Sequence, residues 1–207
     1  MNRRSWSTWG PLMALLAACG SVEVPRERFF RLDLPAARRP DPGRAGVLRV
    51  QDLQLGPALD GDCLLVQRGV EVLPRPLDRW IAPLDRMVTD ALVLGLSRAR
   101  VCDLVKTAGD AGGEDWTLHG RIVEFGEARG ETAEARVTLE LWLEQRGALV
   151  FHDEFRVTEP LQGHGPEAAV AGLSTGLLQV VDGVVARMQQ RGLFAAARPP
   201  AAPDAAR

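Results

Sequence analysis

The chain is nearly devoid of lysine. Lys106 is the single example among 207 residues, and every other cation is arginine. With so much alanine, glycine and proline, this reads as a coding bias rather than a functional sign. There is no excess of positive charge either: 25 Lys and Arg stand against 27 Asp and Glu, a formal net charge of -2. That removes the basic footprint expected of a nucleic-acid binder. No internal repeat is visible.

The usual chemistry of enzymes is thin as well. His119, His152 and His164 have no metal-ligand spacing, and in 152–154 (His-Asp-Glu) the alternation of a strand turns Asp153 away from its neighbours. Ser174 lies in a Gly-x-Ser-x-Gly match, but that motif needs a strand-to-helix elbow, and this serine falls inside a predicted helix. The acids Glu23 and Glu27, and Asp110, Glu114 and Asp115, lie in segments expected to be flexible. A preorganised acid–base pair is unsupported there. The sequence therefore predicts no catalytic residue, no metal and no cofactor.

What is present begins at the N-terminus. Arg3 and Arg4 precede a short apolar run over 9–16, far below the ~20 residues of a bilayer-spanning helix. Small residues follow, Ala17 and Ala18, in the layout of a secretory signal peptide over 1–18. A plain signal needs no cysteine after them. Leu16-Ala17-Ala18-Cys19 resembles the bacterial lipobox, whose cysteine is acylated and becomes the first mature residue. Each buried acyl CH2 contributes ~0.8 kcal/mol, and several chains make a stable anchor. Gly20, where an aspartate would resemble the inner-membrane retention signal, points to the outer membrane and its periplasmic face. Loss of Arg3 and Arg4 leaves the mature body more acidic, which does not favour a second, electrostatic attachment to anionic lipid. In the oxidising periplasm Cys63 and Cys102 are candidates for a disulfide, the alternative being two buried free thiols.

Residues 19–28 read as a lipidated tether; its 20–28 stretch spans about 30 Å when extended. The body is expected over 29–194, and an Ala/Pro-rich tail without periodicity over 195–207. Strands are predicted at 29–35, at 47–55 with a bulge near Gln51-Asp52, and over 63–74 with a turn near Arg68-Gly69. From Trp80 to Ala99 the apolar period becomes helical, with the regular helix starting near Ala82 and Trp80 anchoring its start in the core. A strand at 101–105 and a glycine-rich loop follow.

Three better-patterned strands come next. Trp116, Leu118 and Ile122 share a face. Val137, Leu139, Leu141 and Leu143 alternate with Arg136, Thr138, Glu140 and Glu144. Leu149, Phe151, Phe155 and Val157 are predicted inward, with His152, Glu154 and Arg156 outward. Gly165-Pro166 opens a last helix whose stripe is Val170, Leu173, Leu177, Val181, Val184 and Met188. The order predicts a two-layer α+β domain: a mostly antiparallel or mixed sheet with two long helices on one face. Trp142 falls on the polar face between Glu140 and Glu144. It is a candidate partner contact, or a member of a cross-strand pair.

The lipobox, an early Arg28-Phe29-Phe30-Arg31-Leu32-Asp33-Leu34-Pro35, a strand ending in Leu73-Pro74, and Leu77-Asp78-Arg79-Trp80 followed by Pro83-Leu84 are together similar to the PqiC-type ABC-transport auxiliary lipoproteins. The resemblance covers about 29–192, although members carry tyrosines in these strands and this chain has none. It implies a non-enzymatic auxiliary component of an MCE/ABC-type system moving lipid or hydrophobic cargo between inner and outer membranes. The implied partners are an MCE-domain protein and an inner-membrane permease, with a homo-oligomeric ring as the implied assembly. A rival reading is a periplasmic lipoprotein that binds or regulates cell-wall synthesis enzymes.

Overall fold

The computed structural model describes residues 25–35 and 46–193. The expected signal peptide, Cys19, most of the expected tether and the expected Ala/Pro-rich tail lie outside the described residues.

The longest strands form the frame. β7 (Trp116–Arg129), β8 (Ala133–Gln145) and β9 (Ala148–Pro160) make an antiparallel meander. The β8–β9 connection is two residues, Arg146 at φ 51° and Gly147 at φ 82°. Two successive positive φ values give the primed turn whose twist matches the strands it joins. The other edge of β7 carries short parallel strands: β2 (Val47–Val50), β3 (Gln54–Leu55) and β4 (Cys63–Arg68). β4 forms a hairpin with β5 (Glu71–Trp80), which holds β1 (Arg28–Phe30) in parallel at its far edge, and β6 (Leu104–Thr107) lies beside β2. The result is one mixed nine-stranded sheet.

Two helices, α1 (Leu84–Arg98) and α2 (Pro166–Gln190), pack on one face and against each other, giving the two-layer α+β architecture expected. α2 is long and apolar enough to cross a membrane. Its stripe of Leu173, Leu177, Val181, Val184 and Met188 is instead buried with Leu139, Leu141 and Leu143 of β8 in the common core. Close approach of the helices needs Gly95: a Cβ there would sit 2.7 Å from a Val181 methyl.

Several boundaries differ from expectation, each for a local reason. Trp80 ends β5 rather than opening a helix, though it anchors the core as expected, packing on Phe125 with ring centroids 5.9 Å apart. The helix begins at Leu84 because Ala82 precedes a proline, which disfavours helical backbone at that position, and Pro83 itself is extended at ψ 134°. The stretch 101–103 is not strand. Arg100, at φ 50°, turns the chain after α1 and drops Val101 and Cys102 into the core, so β6 starts only at Leu104. The expected strand at 29–35 is strand only to Phe30.

Leu149, predicted inward, is 62% exposed. Register shifts between Leu143 and Glu144, so that Leu143 faces Phe151 while Glu144 faces Leu149. This extra residue in β9 reverses the facing of Leu149, as a bulge does. Thr138, predicted on the wet face, is buried.

Candidate functional site

The solvent face of the meander is organised around Trp142. Register places it between His119 on β7 and His152 on β9. The His119 ring stacks on the indole at 5.6 Å and 4°, and the His152 ring meets it edge-on at 5.6 Å and 65°. His152 Nε2 lies 2.8 Å from a Glu140 carboxylate oxygen, and His119 Nε2 lies 3.6 Å from one of Glu144. Trp142 is thereby half-buried in cross-strand contacts. The row is a fixed aromatic platform with acidic edges, set by strand register alone.

A second feature lies where the sheet extends past the start of α2. Here Glu127 of β7, nearly fully buried, is ion-paired to both Arg75 and Arg129. Arg75 also approaches Asp78 at 3.6 Å, Asp78 pairs with Arg28 at 2.7 Å, and Arg28 reaches Glu167 of α2 at 2.8 Å. Acids and arginines thus alternate in one chain of contacts from β7 through β5 and β1 to α2. Arg79, next to Asp78, holds Asp62 through two contacts of 2.8 and 2.7 Å and Glu27 at 3.0 Å. Hydrogen bonding from Arg79 lowers the Asp62 carboxyl, and the same contact raises the Arg79 guanidinium. The Leu77-Asp78-Arg79 run therefore has a mechanical role: its two charges clamp residues 27 and 28, fixing where the N-terminal segment joins the domain.

Arg28, Arg75 and Arg129 border a groove of about 420 Å³ that also includes Arg26, Arg68, Val66, Leu73, Pro74, Pro76 and Leu77. Sequence reasoning missed it because its charges come from four separate strands and the segment before β1. The only local signal was the Arg-Pro-Leu-Asp-Arg run at 75–79.

The cysteines stay apart. Both Cys63 and Cys102 are free thiols, so the disulfide considered from sequence does not form. Cys63 opens β4, while Cys102 leads into β6, and β7 and β2 lie between those strands, three strand spacings or about 14 Å, against the ~7 Å limit for a bridge. Burial pushes the Cys63 thiol upward, and burial pushes Cys102 up to about 11. Neither is therefore an activated thiolate. Ser174 is helical and buried, its hydroxyl donating to Val170 O at 2.9 Å and accepting from the Asp33 N–H at 3.1 Å. It ties the segment after β1 to α2 and has no nucleophile geometry. Asp153 faces α2, paired to Arg187 at 2.7 Å, away from His152 and Glu154.

Comparisons with known proteins place this fold. A crystal structure of a DUF330 protein of Xanthomonas campestris superposes with TM-score 0.70 at 17% identity, covering 80% of this chain and 97% of that one. A second solved structure, of an uncharacterized protein, gives 0.64 at 21% identity, covering 79% and 99%. These likenesses establish the fold. No curated protein matches the chain significantly. The family model described as ABC-type transport auxiliary lipoprotein component matches residues 30–185, and the chain belongs to that family.

Proposed function

We propose that this protein is the outer-membrane-anchored, periplasm-facing lipoprotein of an MCE/ABC-type transport system that moves lipid or hydrophobic cargo between inner and outer membranes. Acyl chains on Cys19 hold it to the membrane. The α+β body serves as a docking piece for an MCE-domain protein, coupled through it to an inner-membrane permease, and copies of the body associate in a ring. The observation that carries the reading is the family match over 30–185, preceded by the lipobox-like Leu16-Ala17-Ala18-Cys19. The Trp142 platform supports the docking role: an aromatic held rigid by its neighbours loses little freedom on binding, which favours it as an interface anchor.

The test is affinity purification of the lipidated protein from its native membranes, with mass spectrometry of what accompanies it. An MCE-domain protein and its permease are the expected companions. Recovery of cell-wall synthesis enzymes without them would overturn the transport reading in favour of the regulatory one.

A further inference from the structure

The chain's mild net acidity conceals a basic, apolar-edged end. Three acids (Asp78, Glu127 and Glu167) pair with the groove's Arg28, Arg75 and Arg129, and of the three Asp78 lines it. Arg26 and Arg68 also line it, and with Glu71 opposite Arg68 across the β4–β5 hairpin the five lining arginines still outnumber these four acids. Arg75, which lines the groove, contacts Glu127 and Asp78 through two of its nitrogens, and its Nε is buried without a hydrogen-bond partner.

The apolar part of this end is equally exposed. Val70, at the tip of the β4–β5 hairpin, is fully exposed, and Val72, Leu73 and Leu77 are 44%, 36% and 41% exposed. Glu71 is the acid of this hairpin tip. Pro74 and Pro76 remove two backbone donors from β5, whose outer side beyond β1 is unpaired. That edge is poorly suited to adding a peptide strand. Arginines beside exposed aliphatics instead match a membrane interface, where cations meet phosphates and apolar tips reach the acyl boundary.

The tether gives the geometry. Arg26 and Arg28 line the groove, and the Arg79–Glu27 and Asp78–Arg28 pairs fix the chain's path at its rim. The span from Cys19 to Pro25, where the described chain begins, is about 21 Å at full extension. We propose that this groove and the Val70 tip form a headgroup-binding face, on which phospholipid phosphates of the anchoring membrane seat between Arg26 and Arg68. The inference rests on the reading of Cys19 as lipidated. It orients the body on the membrane, with the β4–β5 end down and the remainder presented away from the bilayer.

The test uses the full mature chain with Cys19→Ser, which removes the acyl anchor. Cosedimentation is measured with vesicles of equal parts phosphatidylglycerol and phosphatidylcholine, and with pure phosphatidylcholine. The expected result is binding that prefers the anionic vesicles and weakens with salt. Arg26→Gln and Arg68→Gln should each weaken it about 5-fold, and together about 25-fold, while Arg156→Gln on the far sheet face changes nothing. Val70→Ser should weaken it as well. Equal binding by the groove variants and the parent, or no preference for anionic vesicles, would overturn the proposal. Saturable groove binding of inorganic phosphate without vesicle binding would reassign the site to a soluble anion. The same result with a polyglutamate peptide would reassign it to an acidic protein partner. Because the assay contains no lipid anchor, its failure leaves acylation of Cys19 standing. Acylation is read separately, by metabolic labelling with a fatty acid and its loss in Cys19→Ser.

Discussion

Glu127 is the place to break the alternating charge chain. Its carboxylate is 3% exposed and receives Arg75 on one oxygen and Arg129 on the other. Removing one member of a buried pair leaves the other charge uncompensated and costs about 3–5 kcal/mol when both are fully buried. Arg75 is 19% and Arg129 40% exposed, so water recovers part of that loss. Glu127→Gln keeps the shape and one acceptor but removes the charge, and the expected cost is about 2–3 kcal/mol. For a domain of this size that lowers Tm by about 4–12 °C. Thermal melts by circular dichroism on Glu127→Gln, Arg75→Gln and the double variant form the test. The two single losses should not add, because the double variant leaves neither a lone buried carboxylate nor an unanswered Arg75. A Tm shift under about 1 °C for Glu127→Gln, or strict additivity in the cycle, would refute the view that this network is coupled.

Gly120→Ala should destabilise by about 1–3 kcal/mol in denaturant titrations, since the new Cβ would lie 2.4 Å from Leu141 Cδ2 and 2.8 Å from Glu140 O; a neutral outcome would mean β7 and β8 are looser than they look. Cys102 is held neutral by burial, its thiol raised to about 11 from 9.0. The native state then keeps a proton that the unfolded chain releases, so stability should fall as pH rises from about 9 toward 11; melts at about pH 8, 9.5 and 10.5 should show a shallower decline in Cys102→Ala. Trp142→Ala should lower Tm by only a few degrees, in keeping with ring pairs worth about 0.5–1.5 kcal/mol. If the platform docks a partner, the variant should also weaken partner recovery about 30-fold, the scale of an interface hot spot; a purely structural tryptophan would leave recovery unchanged.

Legibility in the sequence followed the range of the interactions. Alternation in 137–143 and 116–122 placed Leu118, Ile122, Leu139 and Leu141 in the core, because a strand's facing is set by residues two apart. The same rule failed at Leu149, where one extra residue in β9 reversed the phase, and a bulge leaves no periodic mark of its own. The helix start was misplaced by two residues, although the signal was present: Ala82 stands before proline. Trp142 was identified on its polar face, yet its histidine neighbours depend on the register of three strands, which no single window contains. The arginine groove was least legible, for an electrostatic reason. Net charge sums over the whole chain, whereas a site feels charges within about one Debye length, ~10 Å. Arg26, Arg68, Arg75 and Arg129 become neighbours only after β1, β5, β4 and β7 line up side by side. A mildly acidic protein can therefore carry an arginine-rich end that its total charge does not reveal.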